Sequence, residues 1–185
     1  QQLAGRRVIG ELPLAEGLRG LILDGEDGGM LALWNDSLSA EQADVAMYLG
    51  RAPVAMDIWA NARPLEQDGK IHHLNLTSTP IFVEGIDKQL ALFRAGFRLD
   101  NPIIEASQVK HHRRILLTNP WPVTISGHFT ITGPPDWKAF PQRRQFAIAA
   151  GQTAEYDVEL TFPVSVISGS MPLIADFKFT ADQSY

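Results

Sequence analysis

The chain has 185 residues, 45% of them hydrophobic, enough for one large β domain or two small ones with real cores. Its net charge of −5 is uneven: residues 1–88 hold seven Lys/Arg against thirteen Asp/Glu, and residues 89–185 hold nine against eight. That balance argues against a nucleic-acid partner, which needs a positive field, and the absence of cysteine excludes disulfides, thiolate metal sites and Cys nucleophiles.

Strand punctuation runs through the first half. Arg7-Val8-Ile9-Gly10-Glu11-Leu12 reads as an early strand. The apolar runs 20–24 and 30–34 flank Gly25-Glu26-Asp27-Gly28-Gly29, a hairpin signal. Residues 43–49 contain helix-forming Ala and Met, but Val45, Met47 and Leu49 alternate with period two, which favours a strand. Residues 54–59 are read as another strand. Gln67-Asp68-Gly69-Lys70 is a hairpin turn, because Asp-Gly accepts the positive φ such turns require. In the strand 71–76, Ile71, His73 and Asn75 share one face, and His72, Leu74 and Leu76 share the other. Residues 79–85 close this half, with Pro80 at the strand start, where a missing N–H is tolerated.

Asp87-Lys88-Gln89-Leu90-Ala91-Leu92-Phe93-Arg94 is the best candidate for a helical turn. Leu90, Leu92, Phe93 and Phe97 are too apolar for a solvated linker, so the segment is expected to be a packed connector, buried between two domains. Short strands follow at 95–99, 102–105, 107–118, 123–131, 143–149, 154–162 and 173–180. In 154–160, Glu155, Asp157 and Glu159 face outward while Tyr156, Val158 and Leu160 face inward. The fold class expected from this cadence is all-β, with two consecutive immunoglobulin-like β-sandwich domains over 1–86 and 95–185, joined by a connector at 87–94.

Several residues carry a resemblance. Residues 7–12, the Leu31-Ala32-Leu33-Trp34 strand and the closing Thr79-Pro80-Ile81-Phe82-Val83-Glu84-Gly85 strand make 3–85 resemble the β-sandwich appended to (β/α)-barrel glycoside hydrolases. Leu117-Thr118-Asn119-Pro120, Pro134-Pro135-Asp136-Trp137 and Ala149-Ala150-Gly151-Gln152-Thr153 make the second half similar to immunoglobulin-like modules that accompany α-galactosidases. The resemblance implies a C-terminal accessory region without its catalytic barrel.

No catalytic constellation emerges. A glycosidase needs two carboxyl groups flanking the scissile bond, whereas Asp24, Glu26, Asp27 and Asp68 sit in turns and Glu155, Asp157 and Glu159 on an outward strand face. His72-His73 and His111-His112 are strand neighbours that point to opposite faces, so neither pair chelates one ion. The 25–29 loop lacks the regular spacing of a calcium loop and is not a phosphate loop. Ser126-Gly127-His128 and Ser168-Gly169-Ser170 lack the nucleophile-elbow context. Lys110-His111-His112-Arg113-Arg114 is the one basic patch and reads as a solvated strand entry. Asn35-Asp36-Ser37 and Asn75-Leu76-Thr77 fit the N-glycosylation pattern.

The four Trp residues are the candidates for ligand contact. Trp34 and Trp59 lie in apolar runs and are expected in the core, and Trp137 follows Pro134-Pro135 and is expected to cap it. Trp121, between Pro120 and Pro122, is expected to be the most exposed, contacting either a ligand or the neighbouring domain. No run approaches the ~18 apolar residues of a membrane span. No charged and apolar leader opens the chain, so no signal peptide is expected, and the start at Gln1-Gln2 fits a cleaved or excised piece. The expected function is a non-catalytic structural or interaction module, extracellular or periplasmic, without cofactor or metal. Its partner would be the catalytic domain of a parent chain or a polysaccharide surface, with no nucleic acid. The alternatives are a piece of a glycoside hydrolase lacking its barrel and a carbohydrate-binding module.

Overall fold

The computed structural model describes residues 3–38, 42–105, 107, 109–163 and 171–185. The strands are β1 Arg7–Glu11, β2 Leu18–Gly25, β3 Gly28–Asn35, β4 Gln42–Met47, β5 Val54–Met56, β6 Ala62–Arg63, β7 Glu66–Asp68, β8 Ile71–Thr77 and β9 Ile81–Glu84. After α1, Lys88–Ala95, come β10 Arg98–Leu99, β11 His111–Thr118, β12 Ile125–Thr132, β13 Lys138–Phe140, β14 Arg143–Ile148, β15 Thr153–Thr161 and β16 Ile174–Thr180. The chain divides into two compact units, Gln1–Ala95 and Gly96–Tyr185.

The expectation of two immunoglobulin-like β-sandwiches is corrected here. The described strands form four open antiparallel sheets, ordered β1-β2-β3-β9-β5-β6, β4-β8-β7, β10-β11-β15-β13 and β14-β12-β16, and in none does the last strand pair with the first. The reason is physical: alternation and turn residues specify that a strand has a buried face, not which distant strand lies beside it. The β3–β9, β11–β15 and β12–β16 pairings are all non-local.

In the first unit, β2 and β3 form the expected hairpin, with Gly25 opposite Gly28 and Gly28 at φ 98°, a left-handed conformation open to glycine. One core cluster joins Ile22, Leu31, Leu33 and Val83 of the larger sheet to Leu74 and Leu76 of β8. Each such fully buried side chain contributes roughly 1.5–3 kcal/mol. Leu23, Met30, Ala32 and Phe82 form a second cluster on the opposite face of the larger sheet, so its central strands are apolar on both sides. Asp87 caps α1, its Oδ1 accepting the Leu90 N–H at 3.0 Å. Ala91 of α1 is part of the first unit's core, with Leu92 and Ala95 packed against it. Leu90 and Phe93 are also buried.

In the second unit, β11 pairs β15 over eight residues, from His111 opposite Leu160 to Thr118 opposite Thr153. Ile115, Leu117, Val158 and Leu160 are buried on that sheet, and Ile125, Phe129, Ile131, Phe146 and Ile148 on the β14-β12-β16 sheet. The two sheets meet where the Phe129 ring stands edge-on to Tyr156, centroids 5.6 Å apart. Phe97 packs edge-on to Phe177 at 5.3 Å and contacts Phe129. Aromatic pairs at such angles add about 0.5–1.5 kcal/mol beyond burial.

Candidate functional site

The most exposed Trp is the best-built surface feature of the first unit. β5 ends at Met56 because Asp57 turns the chain. The Asp57 side chain is only 7% exposed. Its Oδ1 accepts the backbone N–H groups of Trp59 at 2.9 Å and Asn61 at 3.0 Å. Its Oδ2 accepts Asn61 Nδ2 at 3.1 Å and faces the Arg63 guanidinium at 3.4 Å. Two main-chain bonds close the loop, Ala60 N–H to the Asp57 carbonyl at 3.1 Å and Asp57 N–H to the Asn61 carbonyl at 3.0 Å. Ala60 sits at φ 68°, a region that costs a non-glycine residue about 1–3 kcal/mol. Burial pushes the Asp57 carboxyl up, but the Asn61 backbone and side-chain donors, the Trp59 N–H and Arg63 outweigh it, and its pKa is lowered from 3.8. Asp57 therefore stays charged at neutral pH and holds the loop.

This loop lifts Trp59 into solvent, 72% exposed, next along the chain from the half-exposed Ile58. The expectation that Trp59 lies in the core is thus corrected. The apolar run continues past the strand end, and the turn signal is the Asp57/Asn61 pair, both residue types that bond their own backbone. Trp121 reverses the other expectation, at 1% exposed. Flanking prolines read as surface, yet Asn119 Oδ1 accepts the Trp121 N–H at 2.9 Å and fixes the residue beneath Phe179 and Tyr185. Trp34 is half-buried. Trp137 is half-buried and stacks on Phe162 at 4.7 Å, which in turn stacks on His111 at 4.8 Å.

The other sequence candidates disperse. Asp24 pairs with Lys88 at 2.8 Å, Glu159 with Lys110 at 2.9 Å, and Glu155 with Arg114. Arg113 donates to the Asn101 and Ile103 carbonyls, so the basic patch is tied to its own unit. His72 is buried, its Nδ1 accepting the Leu49 N–H, while His73 is exposed. His111 is buried and His112 exposed. Among the described residues no group of three or more His, Asp or Glu is placed to hold a metal. Ser126 is exposed on β12 with His128 half-buried beyond it, and Ser168-Gly169-Ser170 lies outside the described residues. Asn35 is buried at 3% exposure, its Oδ1 accepting the Ser37 N–H, while Asn75 is exposed and donates to Asp44. Among the described residues no helix is long and apolar enough to cross a membrane.

No family model matches the chain, and no curated protein or solved structure is similar to it at a significant level. The resemblance to glycoside-hydrolase accessory domains is therefore corrected. The stretches that carried it are strand ends and turns. In 149–153, for example, the Gln152 N–H bonds the Ala149 carbonyl at 3.1 Å with Gly151 at φ 69°. Such turn chemistry is common to β proteins at large and marks no family. What stands is a mostly β chain whose clearest surface feature is a rigidly mounted Trp.

Proposed function

We propose that the chain is a non-catalytic interaction module that docks a partner protein through Trp59. The observation that carries this reading is the Asp57-centred loop, in which a buried carboxylate and a strained Ala60 serve to present an exposed indole. Indole side chains dominate binding energy when they enter a pocket, and a pre-ordered loop loses little entropy on docking. The adjacent Ile58 is also half exposed and adds apolar surface to the loop. A non-catalytic role is supported by the carboxylates, since Asp24, Glu84, Asp100, Glu155 and Glu159 are all engaged by cations.

The test is site-specific photo-crosslinking in the source cells. A benzophenone side chain at position 59 is expected to trap one dominant protein, and Asp57→Ala is expected to abolish that adduct. Phe140 is equally exposed at 72% and serves as the control position. The same set of adducts from positions 59 and 140 would overturn the reading.

A further inference from the structure

The outer face of the β14-β12-β16 sheet gathers positive charge. On β12, Phe129 and Ile131 point into the core, so His128 and Thr130 point out. Residues directly opposite share a face: His128 stands between Gln145 and Lys178, and Thr130 between Arg143 and Asp176. Lys178 is thus the cross-strand neighbour of His128, and Arg143 its diagonal neighbour, a spacing within reach of long side chains. Arg143, Lys178 and Asp176 are all exposed and, among the described residues, make no ion pair. Arg143 and Lys178 thus flank His128 from the two neighbouring strands, and both charges act on its ring, so an anion above His128 would lie between two cations.

We propose that Arg143, His128, Lys178 and Thr130 form a binding site for a phosphate or sulfate group on this sheet face. The guanidinium offers a planar fork of donors, the ammonium three rotating ones and the Thr130 hydroxyl one more, a set that matches tetrahedral oxyanion geometry. Burial first, then the charges of Arg143 and Lys178, lower the His128 pKa from 6.5, so the ring is neutral at pH 7. The charged groups facing it are Arg143 from β14 and Lys178 and Asp176 from β16. An anion over the ring favours the imidazolium, so binding takes up a proton from solvent. By reciprocity, acidification tightens binding.

The experiment follows the imidazole Cε1–H resonances of the full chain across a pH series at constant ionic strength. One arm adds inorganic phosphate and the other polyphosphate. A raised His128 pKa with inorganic phosphate marks a free-ion site, and a rise with polyphosphate alone marks a site for a phosphate carried on a polymer. Either result supports the proposal. Arg143→Gln and Lys178→Gln are each expected to weaken binding by about tenfold, with the urea midpoint unchanged. His73 and His112, both exposed, are the internal controls. No change at His128 in either arm, or equal changes at all three histidines, overturns the site.

Discussion

The backbone N–H of Trp121 donates to Oδ1 of Asn119 at 2.9 Å, reaching across Pro120. The other end of the same side chain, Nδ2, donates to the carbonyls of Val123, Ile148 and Ala149 at 2.8, 2.9 and 3.0 Å. One fully buried amide thus joins the end of β11 to the end of β14 and seats the indole. Asn119→Ala leaves these carbonyls without that donor and is expected to cost roughly 2–4 kcal/mol. Asn119→Asp keeps the shape but turns an acceptor toward three acceptors, and is expected to cost more. Urea unfolding followed by tryptophan fluorescence measures both.

Gly127 lies on the inward side of the central strand β12, opposite Phe146 and Phe179. A Cβ there would overlap the Lys178 carbonyl oxygen and the Phe179 backbone. These are main-chain atoms of a paired strand and have no rotamer by which to withdraw. Gly127→Ala is expected to destabilise by about 1–3 kcal/mol, read as a lower urea midpoint. An unchanged midpoint would mean that β12 and β16 separate more readily than their ladder implies.

Trp59 and Asp57 separate binding from folding. Trp59→Ala removes an exposed side chain and is expected to shift stability by no more than about 0.5 kcal/mol. Asp57→Ala takes away the acceptor for three donors within the loop and is expected to lower stability. Limited proteolysis should then cut within 57–61 in Asp57→Ala but not in Trp59→Ala. Cleavage at the same rate in both variants would show that the carboxylate does not hold the loop.

Acid should unfold the chain through a small group of carboxyls. Hydrogen bonding from Lys88 lowers Asp24, and the Arg114 backbone N–H lowers Asp100, both from 3.8. Asp57 is lowered as well, its donors and Arg63 overcoming the opposing effect of burial. A carboxyl whose folded pKa lies below its unfolded value stabilises the fold at every pH above the unfolded value. It loses that contribution as pH falls through the folded one. Stability is therefore expected to be flat around neutrality with respect to these groups and to drop below 3.8. Urea midpoints from about pH 6 to about pH 2 should decline less steeply in Asp57→Asn and Asp100→Asn, because each variant has already lost a group that titrates.

Local pattern made the elements legible. The 71–76 alternation appears as buried His72, Leu74 and Leu76 against exposed Ile71, His73 and Asn75, and both glycine-marked hairpins close where their turn residues stand. Sheet membership was not legible, since β9 inserts between β3 and β5 from far along the chain. The short β13 has no apolar run to announce it. The Trp residues misled for a related reason. Exposure depends on where Asp57 and Asn119 send their hydrogen bonds, and those partners are fixed only in three dimensions. The grouping of Arg143, His128 and Lys178 was equally hidden, because three strands must pair before the residues become neighbours.

The larger sheet of the first unit ends bluntly on both sides. At one edge β6 has two residues, Ala62 and Arg63, and at the other the β1 register shifts between Val8 and Gly10. The apolar strands β2, β3 and β9 lie between these edges with their ladders already satisfied. A strand from a second molecule meets a stub on one side and an irregular template on the other. In a crowded refolding mixture this sheet thus gives fibril growth no straight rail to follow, although its interior is among the stickiest sequence in the chain.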